Sequence, residues 1–105
     1  MWQSLLFLMT MTGMFNGAPM EATVMGVEVA GRYYVATEFV VDGVKLSETV
    51  DPSPFKKGAP TKEICEAVFT TVAPIAFRDM VSKGFGSLLT GIEVIVSEVE
   101  CVERP

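Results

Sequence analysis

The sequence predicts an α+β fold: an antiparallel four-stranded sheet in the order β-β-β-α-β, one kinked helix on one face, and an apolar N-terminal arm. Three observations carry it. Three runs rich in β-branched and aromatic residues follow one another before residue 51, separated by glycine turns. A single helical pattern then spans residues 61–84. A last alternating run occupies residues 92–104. Strands before and after one helix belong to α+β architectures.

Residues 1–20 carry no charged side chain and hold five of the seven methionines. Thr10, Thr12 and Gly13 interrupt the apolar run Leu5 to Phe15, and Asn16, Gly17 and Pro19 end it, so no stable membrane span is expected. Two readings remain. One is a mature arm whose Leu5, Leu6, Phe7, Leu8, Met9 and Phe15 pack on a neighbouring subunit, since flexible Met suits irregular contact surfaces. The other is a secretory signal cleaved near Gly17 and Ala18, although residues 2–20 lack the basic start such signals carry. The folded domain is therefore expected over 21–105. A retained start implies a cytoplasmic or virion setting, and a cleaved one a secreted or periplasmic setting.

Residues 22–30 form the first expected strand, with Met25, Val27 and Val29 on one face. Ala30-Gly31-Arg32 turns the chain into 33–41, where Tyr33, Val35, Phe39 and Val41 share a face. Asp42-Gly43 is a strong hairpin signal, because a type I′ turn needs positive φ at both positions. The more polar 44–50 follows as a strand near an edge. Asp51 to Pro60 holds three prolines and resists regular structure. Thr61 is placed to cap the helix, with Glu63 in its first turn. Ile64, Val68, Val72 and Ile75 make its apolar stripe, widened by Cys65, Phe69, Ala76 and Met80. Pro74 predicts a kink, and Lys83-Gly84 a C-terminal cap. In the last strand the inward parity changes between Val96 and Val99, which calls for a bulge near Ser97-Glu98; this long apolar run is expected to pair inside the sheet. One helix covers one face only. The other face, assigned Val24, Tyr34, Val40 and Ile95, needs the arm or a second subunit.

Chemistry is sparse. The chain has 105 residues, 8 basic and 13 acidic side chains, a net charge of −5 and no His. That balance excludes general nucleic-acid binding. Without His, the usual nucleophilic triads and most zinc and haem sites have no candidate ligand or base. No nucleotide, calcium or nucleophile-elbow motif occurs, so no cofactor or metal is expected. Glu93, Glu98, Glu100 and Glu103 alternate along one strand as a solvated face does. Lys56, Lys57 and Lys62 make the only local basic cluster, just ahead of the helix N-terminus, where an anion could bind. Cys65 and Cys101 read first as two reduced core thiols and second as one bridge closing a loop of 36 residues. The expected function is non-enzymatic: a structural or assembly subunit forming a homo-oligomer or part of a larger particle, such as a viral or phage structure, with itself as protein partner. The alternative is a small exported binding module.

Overall fold

A computed structural model describes residues 1–105. Its elements are β1 (Trp2–Phe15), β2 (Ala18–Val29), β3 (Arg32–Val41), β4 (Val44–Pro52), helix α1 (Lys62–Phe85), a short 3₁₀ turn (Gly86–Leu88) and β5 (Leu89–Glu103). The architecture is α+β, but the antiparallel sheet has five strands, in the order β4-β3-β2-β1-β5. The segment expected as an arm is β1. It lies between β2 and β5, so it has partners on both edges, and the boundary expected at residue 20 falls inside β2.

The turns explain the meander. Asn16-Gly17, Ala30-Gly31 and Asp42-Gly43 each place a non-glycine residue and then a glycine at positive φ, the signature of type I′ hairpins. Asn16-Gly17 is therefore a hairpin turn between β1 and β2, where only a break had been expected.

Alternation along β1 and β2 builds the core. Leu5, Phe7, Met9 and Met11 are buried, as are Met20, Ala22 and Val24. Thus β2 presents Val24 inward and Met25 outward, the reverse of the expected parity. The cause is β1, whose buried Met9 and Met11 pair with Val24 and Ala22 and so turn the even-numbered side of β2 to the core. Two aromatic clusters close the ends of this core. Phe7, Phe55 and Phe69 meet at centroid distances of 4.7–5.5 Å, joining β1, the loop after β4 and α1. Phe15, Phe39 and Phe85 meet at 5.4–6.0 Å at the far end.

Helix α1 begins as expected. Thr61 Oγ1 accepts the Ile64 N–H at 3.2 Å, and Glu63 sits in the first turn. The helix continues through Pro74 as one 24-residue element rather than two, and its C-terminal cap is Gly86 (φ 58°), not Gly84. It packs over β1 and β5 through Cys65, Phe69, Phe77 and Val81, spaced in multiples of four. The stripe expected to be buried is instead exposed: Ile64, Val68, Val72 and Ile75 are 46–67% accessible.

Strand β5 holds the expected bulge. Leu8 pairs with Glu98 and Met9 with Val96, leaving Ser97 unpaired. It pairs with β1 alone and so forms an edge, not an interior strand. Strand β4 is the other edge, and all nine residues are exposed. There Lys45 Nζ donates to Glu48 at 2.7 Å, across a register shift that displaces Leu46. That hydrogen bond, with charge attraction, holds the Glu48 carboxyl below its usual range and the Lys45 ammonium above it.

Phe69 touches two other rings and is 5% exposed, so Phe69→Ala should cost about 3–5 kcal/mol in a denaturant melt. Lys57→Ala, at an exposed loop position, should stay within about 0.5 kcal/mol. A silent Phe69→Ala would contradict this packing.

Candidate functional site

Two surface features stand out once the elements are in place. The first is a cavity at one end of the sheet. Pairing of β1 with β2 runs only from Phe7↔Gly26 to Phe15↔Ala18. Beyond it, Trp2 to Leu6 pair with β5, while Val27 to Val29 stay with β3. The sheet forks. At the branch point Gly26 has no room for a side chain: a Cβ would lie 2.6 Å from the Phe7 ring and against the Leu5 carbonyl oxygen. The loop after β4 bridges the fork. Ser53 N donates to Tyr33 O at 3.0 Å, and Ala59 exchanges two backbone hydrogen bonds with Trp2, at 2.7 and 2.9 Å. A cavity of about 370 Å³ remains, and Gln3, Arg32, Tyr33, Ser53, Lys56 and Arg104 line it with Leu5, Gly31 and Phe55.

The second feature is the exposed side of α1. No charged residue occurs from Ala67 to Phe77, so the helix is apolar on its buried and its open sides alike. Ile64, Val68, Val72 and Ile75 run down the open side. The uncovered face of the sheet is different in character. Leu6, Leu8, Met25 and Ile95 lie there among Glu21, Glu38, Glu93 and Glu98, as the register Glu98–Leu8–Met25 and Glu93–Thr12–Glu21 shows. Tyr34 and Val40 share that face as expected, and Val24 does not.

The structure scatters the other residues singled out in the sequence. Of Lys56, Lys57 and Lys62, Lys56 alone lines the cavity; Lys62 opens α1, and Lys57 is exposed. Arg32 and Arg104 complete the basic lining, from the first residue of β3 and from just after β5, 72 residues apart in sequence. No spacing rule joins them. Among the expected subunit contacts, Leu5, Phe7 and Met9 are buried under α1 and the loop, so they hold the domain together. Phe15 belongs to the second aromatic cluster, and only Leu6 and Leu8 face outward from the uncovered side. Glu93, Glu98, Glu100 and Glu103 are exposed, and no three His, Cys, Asp or Glu side chains converge as metal ligands would.

The cysteines are not two thiols. Cys65 and Cys101 form a disulfide with Cα atoms 6.3 Å apart, because the first turn of α1 rests on the last turnless stretch of β5. Both are buried, at 6% and 3%.

Compared with known protein families, curated proteins and solved structures, the chain matches none.

The bridge closes a loop of 36 residues that contains most of α1. Reduction, or Cys65→Ala with Cys101→Ala, should lower stability by about 3–4 kcal/mol. A thermal melt indifferent to reductant would contradict the bridge.

Proposed function

We propose that the protein is a non-enzymatic assembly subunit that associates with a second copy of itself through the exposed side of α1. The uncharged stripe Ile64, Val68, Val72 and Ile75 carries this reading. An apolar surface of that length on a polar-rimmed helix is characteristic of a contact site.

Shape supports it. A compact monomer of 11.4 kDa exposes about 5,800 Å². This chain exposes 6539 Å², more than that average, so its apolar faces are less covered than in a compact monomer. Its radius of gyration, 14.4 Å, also exceeds the ~13 Å of a compact chain this long.

Charge selects the helix over the sheet. Two copies meeting through their uncovered sheet faces would bring Glu21, Glu38, Glu93 and Glu98 against their own images. Two α1 helices packed antiparallel about Val72 avoid this. No charged residue occurs from Ala67 to Phe77, so no like charges meet at the centre of that contact. The Cys65–Cys101 bridge supports an oxidising setting for the assembly, such as a cell surface, periplasm or virion, since disulfides rarely persist in a reducing cytosol.

Sedimentation velocity checks the pairing. Wild type should run as a dimer at micromolar concentration and Val72→Glu as a monomer, with unchanged circular dichroism because Val72 is 54% exposed. Leu8→Glu, on the sheet face, should leave the dimer intact. A monomeric wild type, or dissociation by Leu8→Glu in place of Val72→Glu, would overturn the assignment.

A further inference from the structure

We propose that the cavity in the sheet fork binds a small organic oxyanion: a carboxylate or phosphate attached to an apolar or aromatic group. The chain carries 8 basic against 13 acidic side chains, yet Arg32, Lys56 and Arg104 line this one cavity and no Asp or Glu does. None of the three forms an ion pair. The ion pairs of the chain join Lys45 to Glu38 and Glu48, and Lys83 to Asp79. Glu28 and Glu103 are neighbours in register and in sequence, and neither forms an ion pair with the three. Cations gathered at one concavity without acidic partners in its lining raise the local potential for an anion.

The backbone around two of the cations is anchored, and the Arg104 side chain packs on an aromatic ring. The Arg104 guanidinium carbon lies 5.2 Å from the Tyr33 ring centroid, and the Arg104 N–H donates to Met1 O at 2.7 Å. The Gln3 amide donates to the Lys56 carbonyl, which anchors the loop that carries that lysine. Ser53 is fixed at the rim through Tyr33 O, and its Oγ accepts the Phe55 N–H at 3.4 Å. Preorganised guanidinium forks recognise carboxylate and phosphate oxygens in pairs, whereas a lysine supplies a point charge.

The remainder of the lining specifies the rest of the ligand. Leu5 and Phe55 give it an apolar wall, and Phe55 is braced edge-on by Phe7 and Phe69. A volume of about 370 Å³ is enough for a small molecule. A nucleic acid would need cations spread along a track. The site does not depend on association through α1, which packs elsewhere.

Isothermal titration with phenyl phosphate and with benzoate, at physiological salt, tests it. At least one probe should bind saturably, one per chain, and the tighter of the two identifies the headgroup. Arg32→Gln and Arg104→Gln should each weaken that binding about tenfold or more. Lys57→Gln removes an equal charge outside the cavity and should leave the Kd unchanged. Arg32 is exposed at the start of β3, so its variant folds even if Arg104→Gln loosens the C-terminal end. Absence of saturable binding of both probes below about 10 mM would overturn the proposal. Equal weakening by Lys57→Gln and Arg32→Gln would overturn it too, since that is attraction without a site.

Discussion

Strand β1 needs neighbours on both edges and a cover on one face, and the rest of the structure follows from how it obtains them. Its 14 residues carry no charge, and every second side chain from Leu5 to Met11 is apolar and large. At a sheet edge such a strand would offer an apolar row of unpaired N–H and C=O groups to any other chain. Here β2 bonds one edge through the tight Asn16-Gly17 turn and β5 bonds the other from the far end of the sequence. Helix α1 exists where it does because it connects β4, at one edge, to β5, at the opposite edge. The loop before it makes the crossing, pairing Ala59 with Trp2, and α1 then lies over β1 and β5 and covers Phe7, Met9 and Met11. The Cys65–Cys101 bridge fastens the first turn of α1 to the last part of β5.

This arrangement leaves one helix serving as cover for two strands of five. The aromatic clusters at Phe7–Phe55–Phe69 and Phe15–Phe39–Phe85 seal the margins that α1 cannot reach. What stays open has two characters. The sheet's far side is apolar but fringed with carboxylates, which keep it in water. The helix's outer side is apolar without charge, which does not. The fork between β1 and β2 is a third consequence: past Phe7↔Gly26, β1 continues with β5 while β2 continues with β3. There the loop after β4, the β2–β3 turn and the C-terminal end converge and bring basic side chains together.

Much of the meander was legible. Asp42-Gly43 and Ala30-Gly31 mark their turns because only certain residues tolerate positive φ. Thr61 marks the helix start, and the change of parity after Val96 marks the Ser97 bulge. The position of β1 was not. Asn16-Gly17 lies between two apolar runs and signals a hairpin as clearly as Asp42-Gly43, but an uncharged stretch at a chain start is equally an arm or a signal by hydropathy alone. Once β1 is placed outside the sheet, the parity of β2 inverts and Leu5, Phe7 and Met9 become surface residues in the reading. The helix was ambiguous for a different reason. Apolar residues surround it, so periodicity cannot distinguish the buried Cys65–Phe69–Phe77–Val81 line from the exposed Ile64–Val68–Val72–Ile75 line. Only the three-dimensional crossing decides. Of the basic cavity, Lys56 alone was visible, because Arg32 and Arg104 join it through tertiary pairing.

Native-state hydrogen exchange followed by NMR tests the central position of β1 most directly. Amides of Phe7 to Met11, bonded between β2 and β5, should exchange only by global unfolding and be among the slowest in the chain. Amides along the exposed edge strand β4 should exchange orders of magnitude faster. If the Phe7 to Met11 amides instead exchange as quickly as those of β4, the segment lies outside the sheet, and the fold described from it is wrong.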